Sequence, residues 1–161
     1  MEAAINDKVW SILAAIMDPE IPVLSIVDLG IVRSIELNNQ QLTISITPTY
    51  SGCPAMDIIS MQVKMSLLNA GFELPIIKQK LSPVWTTDWI TNYGKQQLKA
   101  YGIAPPIGKS FDGAYLEDII VPCPQCNSTN TLLISQFGST SCKALFKCLD
   151  CMEPFDYFKC H

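Results

Sequence analysis

The stretch Pro48-Thr49-Tyr50-Ser51-Gly52-Cys53-Pro54 decides how the first part of the chain folds. Ahead of it, Gln41–Thr47 alternates apolar and hydroxyl side chains, a pattern that predicts a half-buried strand. Behind it, apolar residues recur at helical spacing as far as Ala70, which predicts a helix. The stretch is therefore predicted to be a strand-to-helix turn with Cys53 at its tip.

Cys53 lies where the predicted helix presents its unpaired N–H groups and the positive end of its dipole. That setting lowers the pKa of a thiol and favours the thiolate, which is both a nucleophile and a metal ligand. The alternative is that Cys53 is a small buried apolar side chain, as many cysteines are. The Gly-Cys-Pro turn at a helix start favours a functional thiol.

The composition excludes several classes of protein. The chain has 161 residues, of which 48% are hydrophobic, so it can form one domain or one domain plus a small module. No apolar run approaches the ~18 residues that a membrane span needs. The first residues lack a signal-peptide pattern, so we expect a cytoplasmic protein. A net charge of −4 without a basic block argues against nucleic acid as a partner.

The order of predicted elements indicates an α/β (α+β) domain of the form α-β-β-α-β-α. Its mixed sheet contains an antiparallel hairpin, with helices on one face. Pro75 inside the third strand indicates an edge position or a late start. The predicted elements are a helix Asp7–Met17 capped by Asn6, strands Ile31–Leu37 and Gln41–Thr47, a helix from Cys53 to Ala70, a strand Phe72–Leu81 and a helix Asp88–Tyr101.

The domain organisation is predicted from composition and cysteine spacing. Residues 1–102 form the α/β domain, residues 103–116 form a proline- and glycine-rich linker, and residues 117–161 form a small all-β module. Two strands, Thr131–Phe137 and Ser141–Lys147, are predicted within that module.

Two Cys-x-x-Cys pairs, Cys123/Cys126 and Cys148/Cys151, are the strongest spacing signal. In a cytosolic chain such pairs indicate metal ligands rather than disulfides. Four thiolates form the tetrahedral shell of a structural zinc site, so we predict a zinc ribbon. An iron–sulfur cluster or a single iron ion is the alternative.

Of three other features, two allow two interpretations each. Cys160 and His161 could supply a spare metal ligand or form a frayed terminus. Cys142 follows an apolar pattern and is predicted to be buried. The aromatic side chains Trp85, Trp89 and Tyr93 are predicted to pack in the core, with a partner-docking surface as the alternative.

Asp18, Glu20 and Asp28 lie in the predicted loop that could approach the Cys53 turn. One thiolate with one or two carboxylates would form a sparse, open metal site or a tuned nucleophile. Alternatively, these carboxylates cap turns and bond to the local backbone. The sole histidine of the sequence is His161, which argues against a catalytic triad or a Cys–His pair.

The motifs Asp18–Val23, Asp28–Val32 and Thr47–Pro54 resemble those of the SufT-like iron–sulfur assembly domain. The resemblance covers about residues 5–100. It implies a role in delivering iron or iron–sulfur clusters to other proteins, with Cys53 as the reactive cysteine.

Further motifs resemble those of the D component family of phenylacetyl-CoA epoxidase systems. They are the two cysteine pairs, Val84–Ile90, Tyr101–Pro106, Phe137–Ala144 and Glu153–His161. This resemblance implies an accessory protein of aerobic phenylacetate catabolism that matures the oxygenase or the reductase of the system. The chain lacks both the paired Glu-x-x-His helices of a di-iron oxygenase and a flavin or nicotinamide motif.

Three functions are therefore compared: a metallocentre maturation factor, a structural or regulatory subunit of the epoxidase, and a thiol-dependent transferase. The transferase needs a base beside Cys53, and the sequence offers only carboxylates. A single thiol is too few for a stable cluster. Ligation shared across a homodimer or with a client protein would fit the maturation function.

Overall fold

The computed structural model describes residues 2–107 and 116–159, which form two compact units that divide after Trp85. The first unit contains helix α1 (Glu2–Ala14), strands β1 (Val32–Asn38) and β2 (Gln41–Ile46), helix α2 (Ala55–Asn69) and strand β3 (Ile76–Gln79). Its sheet has the order β1-β2-β3, antiparallel between β1 and β2 and parallel between β2 and β3. The predicted mixed sheet and the edge position of the third strand are both confirmed.

The core of the first unit is built from the predicted apolar faces. Leu42, Ile44 and Ile46 on β2 are at most 1% exposed. On α2, one stripe of side chains is buried, and α1 contacts both α2 and β1. Asn39 and Gln40 have positive φ angles and close the tight β1–β2 hairpin. This framework fixes the direction of the turn between β2 and α2.

The second unit contains a short 3₁₀ helix (Thr87–Trp89), helix α3 (Asn92–Tyr101), a second 3₁₀ helix (Leu116–Asp118) and strands β4 (Thr131–Ser135), β5 (Lys143–Cys148) and β6 (Pro154–Phe158). The three strands pair antiparallel in the order β4-β5-β6. In its small core, Phe155 stacks on Phe146 and Tyr157 meets Phe146 edge to face. The predicted α/β class with an all-β C-terminal module is thus observed.

Several predicted boundaries were wrong. The first helix begins at Glu2, so Asn6 lies inside it rather than at its cap, and it ends at Ala14 because Met17 pairs with Ser25. The third strand begins only at Ile76, since Pro75 has no N–H to donate. The predicted helix Asp88–Tyr101 is two helices, because Thr91 has an extended backbone and caps α3.

The units divide earlier than the predicted linker. Residues 86–102 group with the C-terminal module, where the N–H of Ala104 donates to the carbonyl of Asp156 and Lys99 donates to Asn127. Most of the predicted linker, residues 103–116, lies outside the described residues, so the extent of the linker stays a prediction. The predicted pair Cys160 and His161 also lies outside them.

Candidate metal sites

Cys53 lies in the turn between β2 and α2, as the sequence predicts, and it is half-buried. The N–H of Cys53 donates to the carbonyl of Tyr50 over 3.3 Å, which closes the turn. Gly52 has φ +74°, a left-handed conformation that glycine adopts without strain. Pro54 already has helical angles and directly precedes α2. The turn therefore places the thiol at the N-terminus of α2.

The loop after α1 is shaped by Asp18. Its Oδ1 accepts hydrogen bonds from the N–H of Glu20 (2.8 Å) and the N–H of Ile21 (2.9 Å). Asp18 is only 5% exposed. The interpretation of Asp18 as a turn cap is thus correct.

Glu20 reaches the Cys53 turn through Tyr50. The Tyr50 hydroxyl donates to Glu20 Oε1 over 3.2 Å, and it also interacts with the Cys53 thiol, so the carboxylate and a Cys53 thiolate compete for its single proton. A carboxylate, a phenol and a thiol therefore form one connected group. Sequence reasoning missed Tyr50, although a hydroxyl-bearing side chain three residues before the cysteine in a tight turn was a usable signal.

The pKa of Cys53 is raised rather than lowered. Burial is the largest cause, and the carboxylates of Glu20 and Asp18 raise the pKa further. The backbone N–H of Ala55 and the Tyr50 hydroxyl lower it without reversing the shift. The prediction that the helix N-terminus makes Cys53 a thiolate is therefore wrong, because desolvation and negative neighbours outweigh the helix end.

This environment favours binding a cation over attacking an electrophile. A protonated thiol is a weak nucleophile at neutral pH. A cation bound beside Glu20 would compensate the carboxylate charge and displace the thiol proton, since metal binding and ligand deprotonation are coupled. The same negative charge disfavours anionic reactants.

Asp28 has a local partner. Its Oδ2 accepts from the Ser25 hydroxyl over 2.8 Å, and the Ser25 hydroxyl oxygen accepts from the N–H of Asp28 over 3.0 Å. Within residues 2–107 and 116–159, Cys53, Glu20 and Asp28 do not form a group whose ligand atoms all lie within 4.8 Å. Asp28 as a member of the Cys53 site stays a prediction.

The four-cysteine site is geometrically complete. The Sγ atoms of Cys123, Cys126, Cys148 and Cys151 all lie within 4.8 Å of one another. Cys123 and Cys151 are 3.7 Å apart, and Cys126 and Cys148 are 3.6 Å apart. Zinc–sulfur bonds of about 2.3 Å in a tetrahedron place sulfurs about 3.8 Å apart. The site therefore fits zinc.

The two Cys-x-x-Cys turns share one backbone design. The residue after each pair, Asn127 or Met152, has a positive φ angle, which turns the chain back toward the strands. The pKa of the Cys148 thiol is lowered to about 7, with the backbone N–H of Cys151 as the largest cause, whereas burial and the neighbouring thiols raise the pKa of Cys126 and Cys151. Four thiols this close do not all ionise by themselves, so a bound cation is what holds them together as thiolates.

The structure also shows where Cys142, Trp85 and Tyr93 lie. Cys142 is buried, as predicted, and contacts the Thr140 hydroxyl. Trp85 is 1% exposed and its Nε1 donates to the carbonyl of Leu29, so it belongs to the core of the first unit. Tyr93 is 59% exposed, so the prediction that it packs in the core is wrong.

The two parts of the chain match two family models. Residues 6–71 match the family "Iron-sulfur cluster assembly protein", and residues 111–159 match the "PaaD zinc beta ribbon domain". Together with the four-thiol geometry, the second match assigns zinc in a structural role to the four cysteines.

A relative that aligns with both the N-terminal part and the zinc ribbon shows which family the chain belongs to. The Escherichia coli (strain K12) protein assigned as the D component of 1,2-phenylacetyl-CoA epoxidase is 46% identical over 153 residues, which cover 95% of this chain and 92% of that protein. The chain belongs to the D component family of phenylacetyl-CoA epoxidase. The resemblance inferred from the sequence motifs is thereby confirmed.

Two further proteins are similar to the N-terminal part of the chain alone. The Fe-S protein maturation auxiliary factor YitW of Bacillus subtilis (strain 168) is 35% identical over 104 residues, covering 61% of this chain and 97% of that protein. A crystal structure of a DUF59 domain from Bacillus anthracis is 28% identical with a TM-score of 0.56, covering 60% of this chain and 92% of that structure. In the described ranges, none of the helices is both long and apolar enough to cross a membrane.

Proposed function

We propose that the protein is a non-catalytic accessory factor of a phenylacetyl-CoA epoxidase, acting in the cytoplasm during aerobic phenylacetate catabolism. Its task is to transfer iron or an iron–sulfur cluster to the oxygenase or the reductase of that system. Family membership supports the pathway, and the match of residues 6–71 to iron–sulfur assembly proteins supports the task.

The observation that carries this proposal is the connected group of Glu20, Tyr50 and Cys53. It offers iron one thiol and one carboxylate, with no histidine ligand in its sequence neighbourhood. So few ligands leave coordination positions open for ligands of the client. A site of this kind suits a metal that must leave again.

The chemistry of transfer follows from the same residues. Cys53 gives up its proton when the cation binds, and Glu20 offsets part of the positive charge. Tyr50 donates to Glu20 Oε1, which keeps the carboxylate at the Cys53 turn. When the client's own thiolates replace Cys53, proton return to a thiol of raised pKa favours release.

The experiment is to produce the oxygenase and the reductase together with variants of this protein and to measure iron and acid-labile sulfide in each purified partner. Cys53→Ser is expected to lower the metal content of one partner several-fold. Cys142→Ser removes a buried thiol elsewhere and serves as the control, and Asp28→Asn tests whether Asp28 takes part. Partners that are fully metallated alongside Cys53→Ser would refute the proposal.

A second candidate function, a stoichiometric structural or regulatory subunit, is favoured by the edge strand β4. Leu132 and Ile134 on this strand are 52% and 51% exposed, and Phe137 just beyond it is 64% exposed. Exposed apolar side chains on an edge strand suit docking of a partner. This function predicts stable co-purification with the oxygenase that Leu132→Lys abolishes and Cys53→Ser leaves unchanged.

A further inference from the structure

Helix α2 has a second apolar stripe, which faces outward. Ile58, Met61, Met65 and Leu68 are 44%, 60%, 54% and 41% exposed. They lie on one side of the helix, opposite the stripe that the core buries. A soluble protein seldom exposes such a continuous run of large apolar side chains unless something binds it.

The spacing of this stripe is symmetric along the helix. Its members are separated by 3, 4 and 3 residues, so the midpoint is level with Val63. Two copies of α2 packed antiparallel about that midpoint place Ile58 against the partner's Leu68 and Met61 against the partner's Met65. The same patch then serves on both sides, as a two-fold interface requires.

The charges beside the stripe favour the antiparallel orientation. Asp57 and Lys64 lie on one flank of α2, whereas Gln62 and Asn69 lie on the other. In an antiparallel two-fold pair, each flank runs beside the same flank of the partner. Asp57 of one copy therefore lies on the same side of the helix pair as Lys64 of the other copy. A parallel pair would set the charged flank against the amide flank and would align the two helix dipoles. Polar flanks around an apolar centre are the usual anatomy of an interface.

We propose that the outward stripe of α2 is the interface of a two-fold symmetric homodimer with antiparallel α2 helices. Four partly exposed side chains supply the apolar centre of an interface but less than the ~800 Å² per partner of a standard one. The dimer is therefore expected to dissociate at micromolar concentrations. Methionine, which is flexible and polarizable, adapts readily to such a contact.

The geometry has a consequence for Cys53. Cys53 precedes the midpoint of the stripe by 10 residues, so the two thiols of the dimer lie about 30 Å apart. This dimer cannot share one cluster between its two Cys53 residues. Each Cys53 instead lies near one end of the helix pair. The dimer itself does not depend on whether Cys53 binds iron.

The test is sedimentation equilibrium of the full chain with structural zinc present. Wild type should dimerise, and Met61→Lys or Met65→Lys should weaken dimerisation about tenfold or more, since each change puts a charge in the apolar centre. The matched control is Leu81→Lys, a 68% exposed apolar residue of the same unit that lies outside α2, which should leave the dimer unchanged. Circular dichroism and zinc content establish that each variant is folded.

The double variants decide the orientation. Met61→Glu/Met65→Lys places opposite charges across an antiparallel pair and should restore the dimer, whereas Met61→Lys/Met65→Lys should not. In a parallel pair, both double variants would put like charges together and neither would dimerise. A monomeric wild type, a dimer that Met61→Lys leaves intact, or a failure of the Glu/Lys variant to dimerise would overturn the proposal.

Discussion

At the four-cysteine site, thiols lie 3.6 to 3.7 Å apart in pairs and are ready to enclose a metal ion. At the Cys53 turn, one thiol has Tyr50 and Glu20 as its neighbours. The four thiols can fill the coordination shell of an ion by themselves, whereas Cys53 is a lone thiol whose pKa is raised by burial and by nearby carboxylates. The first site suits a metal that stays, and the second suits a metal that is passed on.

The largest effect is expected at the four-cysteine site. Cys148→Ser should abolish zinc binding and unfold the second unit, because structural zinc contributes on the order of 10 kcal/mol or more to small modules. Zinc content and circular dichroism measure the loss. Cys142→Ser, in the same unit, should retain zinc. A Cys148→Ser protein with normal zinc and normal folding would contradict the structural role.

The raised pKa of Cys53 predicts how alkylation depends on pH. Because the thiolate is the reactive form, alkylation of Cys53 in the zinc-loaded protein should accelerate as the pH rises beyond the ordinary thiol range. Glu20→Gln removes a negative neighbour and should speed alkylation near pH 8 by roughly two- to tenfold. Tyr50→Phe removes a hydrogen bond that lowers the pKa and should slow it.

Mass spectrometry of the peptide that contains Cys53 separates its rate from that of the other thiols. Asp28→Asn is the matched control, because Asp28 is not among the groups that shift this pKa. Equal rates for Glu20→Gln and wild type would show that Glu20 does not influence the thiol.

A smaller effect is expected from the turn itself. Gly52→Ala should cost about 1 kcal/mol of unfolding free energy, because φ +74° disfavours a side chain although nothing lies within 4 Å of the added Cβ. Gly71→Ala has the same conformational problem after α2, at φ +88° and also in open space. Denaturant unfolding should show similar costs for the two variants. Only Gly52→Ala should weaken iron binding. If the two variants bind iron equally well, the geometry of the Cys53 turn does not matter for the site.

The smallest effect on stability is expected for Cys53→Ser. The side chain is half-buried and serine nearly matches its shape, so the free energy of unfolding should change by less than about 1 kcal/mol. Urea unfolding of this variant beside Cys148→Ser makes the contrast between the two sites quantitative. A loss of several kcal/mol would give Cys53 a structural role instead.

The sequence predicts the features that periodicity and spacing determine. The β2–turn–α2 segment and the four zinc ligands follow from patterns within a few residues of one another. Strand β6 was missed because it begins at Pro154 and contains Asp156, both unfavourable in strands. The first helix begins before Asn6 rather than at it, because the alanines that precede Asn6 have a high helix propensity.

The Cys53 site was only partly predictable because its properties depend on distant parts of the chain. The helix N-terminus is local and suggested a thiolate. The burial of Cys53 and the approach of Glu20, separated by 30 residues from Tyr50, exist only in the folded chain. A pKa is the sum of such opposing effects, so its sign could not be inferred from one of them.

The central claim is that the four cysteines retain zinc while the Cys53 turn binds iron that can leave again. Metal analysis of anaerobically purified protein tests this claim most directly. Wild type and Cys53→Ser are incubated with ferrous iron, separated from unbound metal and analysed before and after a mild chelator. We predict zinc in both proteins throughout, and iron in wild type alone, removed by the chelator. Equal iron in both proteins, or iron that resists the chelator as zinc does, would contradict the account.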